Sequence, residues 1–148
     1  MPQFQASHRP PRWTFTILPI AAILAASLFA SLATARTTKS VVKEARSPSL
    51  GKTVLTANNG LTLYSLSAEK NGRFICKGSC LKVWFPLVVA AGVKPTGSVP
   101  LGTIKRPDGR HQVTFKGKPL YTFEGDSKKG EANGEGIEDV GTWHAASP

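Results

Sequence analysis

The chain has 148 residues and a mass of 15.8 kDa, which is one domain's worth of sequence and excludes a multidomain enzyme. Nineteen Lys and Arg against nine Asp and Glu give a formal net charge of +10, and 41% of the residues are hydrophobic, too many for a disordered polycation. No nucleotide fingerprint, zinc-ligand array or nucleophile motif stands out, so the sequence does not indicate an enzyme and no cofactor is expected.

The first 35 residues have the organisation of an export signal. A polar segment with two arginines and no acid precedes the apolar stretch from Phe15 to Leu32, which is followed by Ala33-Thr34-Ala35. A signal peptidase reads small residues at the first and third of these positions. We therefore predict a signal helix that is cleaved after Ala35, and a periplasmic or secreted protein. The alternative is an uncleaved membrane anchor, because about 18 helical residues nearly span a bilayer core.

The segment that follows, residues 36–49, is polar and basic, and we predict that it is a flexible tether. Cleavage after Ala35 leaves 17 basic and nine acidic residues, so the exported chain stays basic. Its cations are scattered and form no helical stripe, so nucleic acid is not an expected partner. An anionic envelope surface is an expected partner, and the sequence leaves open an unidentified ligand or protein as another. Membrane contact is expected only through an uncleaved N-terminal segment.

Residues 50–148 have the pattern of an all-β domain. Apolar runs are short and rich in β-branched and aromatic residues, and turn residues interrupt them every eight to twelve positions. Two β-hairpins are predicted, with strands Thr53–Thr56 and Leu61–Leu66 around Asn58-Asn59-Gly60, and strands Gln112–Phe115 and Leu120–Phe123 around Lys116-Gly117-Lys118-Pro119.

The two hairpins are related by an internal repeat with an offset of 57 residues. Six of ten aligned positions are identical or similar, which exceeds chance, and each copy is followed by a tryptophan, Trp84 or Trp143. We therefore predict two half-repeats, over about residues 50–90 and 108–148. Because a single hairpin cannot bury its apolar face, the two half-repeats and their tryptophans are expected to close one core.

The chain has two cysteines, Cys76 and Cys80. An export signal sends them to an oxidising compartment, and four residues of helical turn place their Cα atoms about 6 Å apart, so a disulfide is predicted. The alternative is a redox dithiol or a Cu(I) thiolate pair, in which His111 or His144 would join the sulfurs as ligands. The spacing by itself does not establish a metal site.

Two acids occupy equivalent positions in the repeats, Glu69 and Asp126. An acid five residues after a tyrosine, near a strand end, is well placed to accept backbone N–H bonds or the hydroxyl of the other tyrosine. A catalytic alternative requires that the two carboxylates meet in an open cleft.

A short motif gives this pattern a family resemblance. The second repeat has the form Tyr-x-aromatic-x-x-Asp at Tyr121, Phe123 and Asp126, and the first departs from it with Tyr64, Leu66 and Glu69. With the Cys76–Cys80 pair, Trp84-Phe85-Pro86 and the terminal Trp143, these motifs resemble the bacterial secreted-repeat family, whose members are often labelled predicted lipoproteins. The resemblance implies an extracytoplasmic compartment and a repeat architecture. It does not indicate any particular activity.

These observations lead to one functional hypothesis and one alternative. The hypothesis is an exported cell-envelope protein that acts as a disulfide-stapled binding or structural module. The alternative is a periplasmic thiol redox or copper-handling protein that uses Cys76 and Cys80.

Overall fold

The structure is a computed structural model that describes residues 39–70 and 72–148. These residues form a short 3-10 helix, Gly78–Lys82, and the strands β1 Val42–Ser47, β2 Lys52–Ala57, β3 Tyr64–Leu66, β4 Trp84–Pro86, β5 Val88–Val89, β6 Leu101–Lys105, β7 His111–Phe115, β8 Lys118–Pro119, β9 Tyr121–Phe123 and β10 Trp143–Ala145. The predicted all-β fold class is confirmed. In this part of the chain no helix is long and apolar enough to cross a membrane. The predicted signal helix, its cleavage site and the anchor alternative lie outside the described residues.

The strands pair in antiparallel sheets. Strands β1 and β2 form a two-stranded sheet, and a second sheet has the order β10-β3-β9-β4. In the third sheet β7 lies between β5 and β6 and also pairs with β8. The second sheet therefore places the motif strands β3 and β9 side by side at its centre, with the two tryptophan strands at its edges.

The two predicted turns are present, but neither hairpin is a simple pair of strands. After the first turn, the bridge between Thr56 and Thr62 is the point of contact, and the chain then leaves β2 for the central sheet as β3. After the second turn, β8 pairs with β7 for two residues before the chain enters the same sheet as β9. Both motif strands therefore lie in the second sheet, where each is next to a strand of the other repeat.

The segment predicted as a tether contains a strand. Residues 42–47 form β1, which pairs with β2 from Val42 opposite Ala57 to Ser47 opposite Lys52. The prediction of a flexible tether is therefore wrong for these residues. The sequence did not indicate a strand because only the two ends of β1 are buried and its middle is polar, so the alternation of apolar and polar residues is absent. Pairing with β2 is what orders it.

Two hydrophobic clusters fill the domain. One is mostly aliphatic and is built around Leu55, Leu63, Val113 and Leu120. The other is aromatic and contains the four large side chains Tyr64, Trp84, Tyr121 and Trp143, each fully buried. The aromatic cluster lies on the central sheet, where the two half-repeats meet.

Candidate functional site

The tyrosines of the two repeats face each other at the centre of the sheet with the order β10-β3-β9-β4. Tyr64 of β3 and Tyr121 of β9 are register partners. The Tyr64 hydroxyl donates to Asp126 Oδ2 at 2.6 Å, and the Tyr121 hydroxyl donates to Glu69 Oε2 at 2.8 Å. Each tyrosine is therefore bonded to the acid of the other half-repeat, which is one of the two kinds of partner that the sequence left open for these acids.

The second oxygen of each acid is held by its own turn. Glu69 Oε1 accepts the backbone N–H groups of Ile75 and Cys76 at 2.6 and 2.7 Å. Asp126 Oδ1 accepts the N–H of Asn133 at 2.9 Å. Cys76 and Asn133 lie seven residues after their acids, so the repeat offset of 57 extends beyond the motif into the following loop.

The tryptophan strands are exchanged in the same way. Trp84 of the first half-repeat pairs with Phe123 of the second, and Trp143 of the second pairs with Leu66 of the first. The two indole rings stack at the centre with centroids 3.8 Å apart and planes within 10°. Neither half-repeat thus completes its own sheet, because each takes its outer strand from the other half.

A buried arginine, Arg106, joins the network on one side. Its side chain is 1% exposed, and Nη1 donates to the Tyr121 hydroxyl at 3.1 Å and to the Gln112 side-chain oxygen at 2.5 Å. Nη2 donates to the carbonyl of Cys76 at 3.0 Å, and the guanidinium lies over the Phe74 ring. The Tyr121 hydroxyl therefore links the buried guanidinium to the buried carboxylate of Glu69.

Sequence reasoning missed Arg106, which it counted only among the scattered cations. One signal was present: Gln112 is a polar side chain at a buried position of β7, and a buried amide needs partners. Gln112 meets that need by accepting from Arg106 and donating to the Leu120 carbonyl at 2.7 Å. No local pattern, however, identifies Arg106 as the cation that reaches it.

Burial and neighbouring acids keep both tyrosines protonated. Desolvation, with the hydrogen bond to Asp126, raises the pKa of Tyr64 far above the ordinary tyrosine value. Desolvation and the charge of Glu69 do the same to the pKa of Tyr121, although Arg106 opposes them. Desolvation also raises the pKa of Asp126, against the hydrogen bond from Tyr64. The tyrosines therefore act as hydrogen-bond donors and not as bases.

The geometry does not provide the open pair of carboxylates that an acid–base enzyme requires. Glu69 is fully buried and Asp126 is 5% exposed. Both oxygens of each carboxylate already accept a hydrogen bond, one from a turn and one from a tyrosine. Chemically, the arrangement fastens two half-repeats together.

The cysteines form the predicted disulfide. Cys76 and Cys80 are bonded across the 3-10 helix with Cα atoms 5.3 Å apart. Gly78 has a φ of +55°, so the tight loop depends on a residue without a Cβ. Cys76 also contributes its N–H to Glu69 and its carbonyl to Arg106, so the disulfide staples the loop that holds the network.

The structure does not bring the histidines into a metal site with the sulfurs. His144 is exposed on β10, and its Nδ1 lies 3.1 Å from Glu135 Oε1. His111 begins β7 and is half-buried. Within residues 39–70 and 72–148, no group of three or more His, Cys, Asp or Glu side chains could hold a metal ion.

Comparison with known proteins identifies one part of the chain. No curated protein and no solved structure matches it. Residues 102–147 match the family described as a secreted repeat of unknown function. This segment contains Tyr121, Phe123, Asp126 and Trp143, the residues on which the second half-repeat depends. The resemblance to the secreted-repeat family is therefore confirmed over residues 102–147.

Proposed function

We propose that the protein works outside the cytoplasm as a disulfide-stapled binding module of the cell envelope. The observation that carries this proposal is the reciprocal exchange between the half-repeats: Tyr64 with Asp126 and Tyr121 with Glu69. The tyrosine and acid side chains, which could otherwise take part in chemistry, are bonded to one another inside the domain and hold a rigid scaffold. A scaffold of this kind leaves its surface, and not its core, to interact with partners.

The charge of that surface supports an anionic partner. The chain that begins at Arg36 has 17 basic and nine acidic residues. Two of the acids, Glu69 and Asp126, and one of the bases, Arg106, are buried in the network, so the basic excess outside it is one charge larger than the total. Anionic polymers or lipids of the envelope are attracted to a surface of this charge, and the attraction weakens with salt.

The test is the native mass of the protein isolated from its own cell envelope without reductant, measured before and after alkylation. The proposal expects a species that begins at Arg36, is two hydrogens lighter than the dithiol, and does not react with the alkylating reagent. Recovery of the unprocessed chain from the cytoplasm would contradict the proposal.

The second candidate function is thiol redox or copper handling through Cys76 and Cys80. The observation that favours it is the unequal burial of the two cysteines: Cys76 is fully buried, whereas Cys80 is half-buried. Thiol–disulfide exchange at such a bond would begin at the more exposed residue. A species that alkylates twice, or carries a metal that is lost on acidification, supports this function over the stapled module.

A further inference from the structure

The surface has a cleft where the turn between β7 and β8 meets the C-terminal end of β10. Its volume is about 300 Å³, at the lower end of sites that bind small organic molecules. The apolar part of its wall comes from Phe115, Leu120, Ala145 and Ala146. These four side chains all belong to the second half-repeat, and Ser65 of the first half-repeat completes the lining.

The polar part of the wall is basic. Lys116, Lys118 and His144 line the cleft, and no acidic side chain does. Among the described residues, no carboxylate lies within 4 Å of either lysine ammonium. Glu135 contacts His144, but its carboxylate already accepts the N–H of Ala145 at 2.7 Å. His144 therefore has an acidic neighbour, whereas Lys116 and Lys118 have no carboxylate partner among the described residues.

The backbone at Lys116 is held in an unusual conformation. Lys116 has a φ of +49° and is the single non-glycine residue with positive φ among those that the structure describes. With Gly117 at +75°, it forms a two-residue turn with positive φ at both positions, which favours Asn-Gly. A lysine there costs stability, and strained residues of this kind concentrate at binding sites. Lys116 lines the cleft, with its ammonium over the Phe115 ring.

A second observation concerns an unpaired hydroxyl in the lining of the cleft. Ser147 lines the same cleft, and its hydroxyl is buried without a hydrogen-bond partner among the described residues. A buried hydroxyl without a partner is uncommon because it loses its bonds to water and regains none. An acceptor in the cleft would supply the partner after rotation of the serine side chain.

We infer that this cleft binds a small carboxylate with a short apolar chain. The carboxylate pairs with Lys116 and Lys118, and the chain lies against Phe115 and Ala146. The assignment rests on the proposed function as a binding module and specifies the chemical class of its ligand. Both parts of the ligand are needed, since the cleft wall is apolar on one side and cationic on the other.

The test is titration of the purified full-length chain with hexanoate, followed by amide chemical shifts in NMR spectra. Hexanoate is expected to shift the amides of Lys116, Ala146 and Ser147. Lys116→Asn is expected to weaken hexanoate at least about tenfold, because one charge-assisted contact is lost. This variant places asparagine, which the turn prefers, at position 116, so it is expected to fold. Lys94→Asn removes the same charge from a residue outside the cleft and is expected to leave the affinity unchanged.

Two further probes separate the parts of the inference. Inorganic phosphate and hexylamine are each expected to bind at least about tenfold more weakly than hexanoate, since one lacks the chain and the other lacks the carboxylate. Equal binding of either probe overturns the assignment, and so does an unchanged affinity in folded Lys116→Asn. If hexanoate does not bind while the native mass is as proposed, only the cleft assignment is wrong. Hexanoate binding by a protein with reduced cysteines would overturn the proposed function alone.

Discussion

Tyr64 and Tyr121 are register partners on adjacent strands, and each hydroxyl is bonded to the acid that follows the other tyrosine in sequence. The two bonds cross between the half-repeats, so one half cannot unfold without removing a partner from a buried group in the other. This relationship makes the domain a single cooperative unit, although its sequence is a duplication.

Loss of either tyrosine hydroxyl is expected to destabilise the protein. Tyr64→Phe leaves a buried Asp126 oxygen and the Gly134 N–H without partners, and should lower the free energy of unfolding by about 1–3 kcal/mol. Tyr121→Phe should cost more, because both of its partners, Glu69 and Arg106, are charged. Urea denaturation of the two variants checks the order, and the reverse order would show that the arginine branch contributes little.

Stability is expected to fall above pH 10. The folded-state pKa of both tyrosines is raised by burial and neighbouring acids, whereas in the unfolded chain each ionises near 10. Above that pH the unfolded state therefore binds fewer protons than the folded state. Each tyrosine then lowers the free energy of unfolding by about 1.4 kcal/mol per pH unit. The chain has only two tyrosines, so absorbance at 295 nm reports both. Ionisation near pH 10 in the folded protein would contradict their burial in the network.

Reduction of the disulfide is expected to lower stability by about 2 kcal/mol, because the closed loop is only five residues long. The reduced protein should still fold, since the aromatic cluster and the Tyr–acid bonds do not involve sulfur–sulfur bonding. Denaturant midpoints with and without dithiothreitol check this. The Cys76→Ala/Cys80→Ala variant is the control, and its midpoint should not respond to the reductant.

The turn between β7 and β8 provides a matched pair of variants. Gly117→Ala places a Cβ in open space, so its expected cost of about 1 kcal/mol comes from the positive φ alone. Lys116→Asn should instead raise the free energy of unfolding by a few tenths to about 1 kcal/mol, because Asn tolerates that conformation. Thermal unfolding checks both. A less stable Lys116→Asn protein would mean that the lysine supports the fold rather than a ligand.

Local sequence patterns were sufficient for several elements. The turns at Gly60 and Gly117 were predicted from residues that tolerate positive φ, and both glycines have it, at +90° and +75°. The disulfide followed from a spacing of four residues, and the core tryptophans from the repeat. Strand β1 was not predicted, because a polar strand is recognisable only by the partner with which it pairs.

The sequence alone determined the all-β class, the duplication and the disulfide, because each depends on residues close together or on a comparison of two copies. Only the tertiary structure decided that the tryptophan strands are exchanged, that Arg106 is buried against Tyr121, and that Lys116 and Ser147 share a cleft. These contacts join residues far apart in the chain. Their geometry depends on how the three sheets and the loops pack, and no local spacing encodes it.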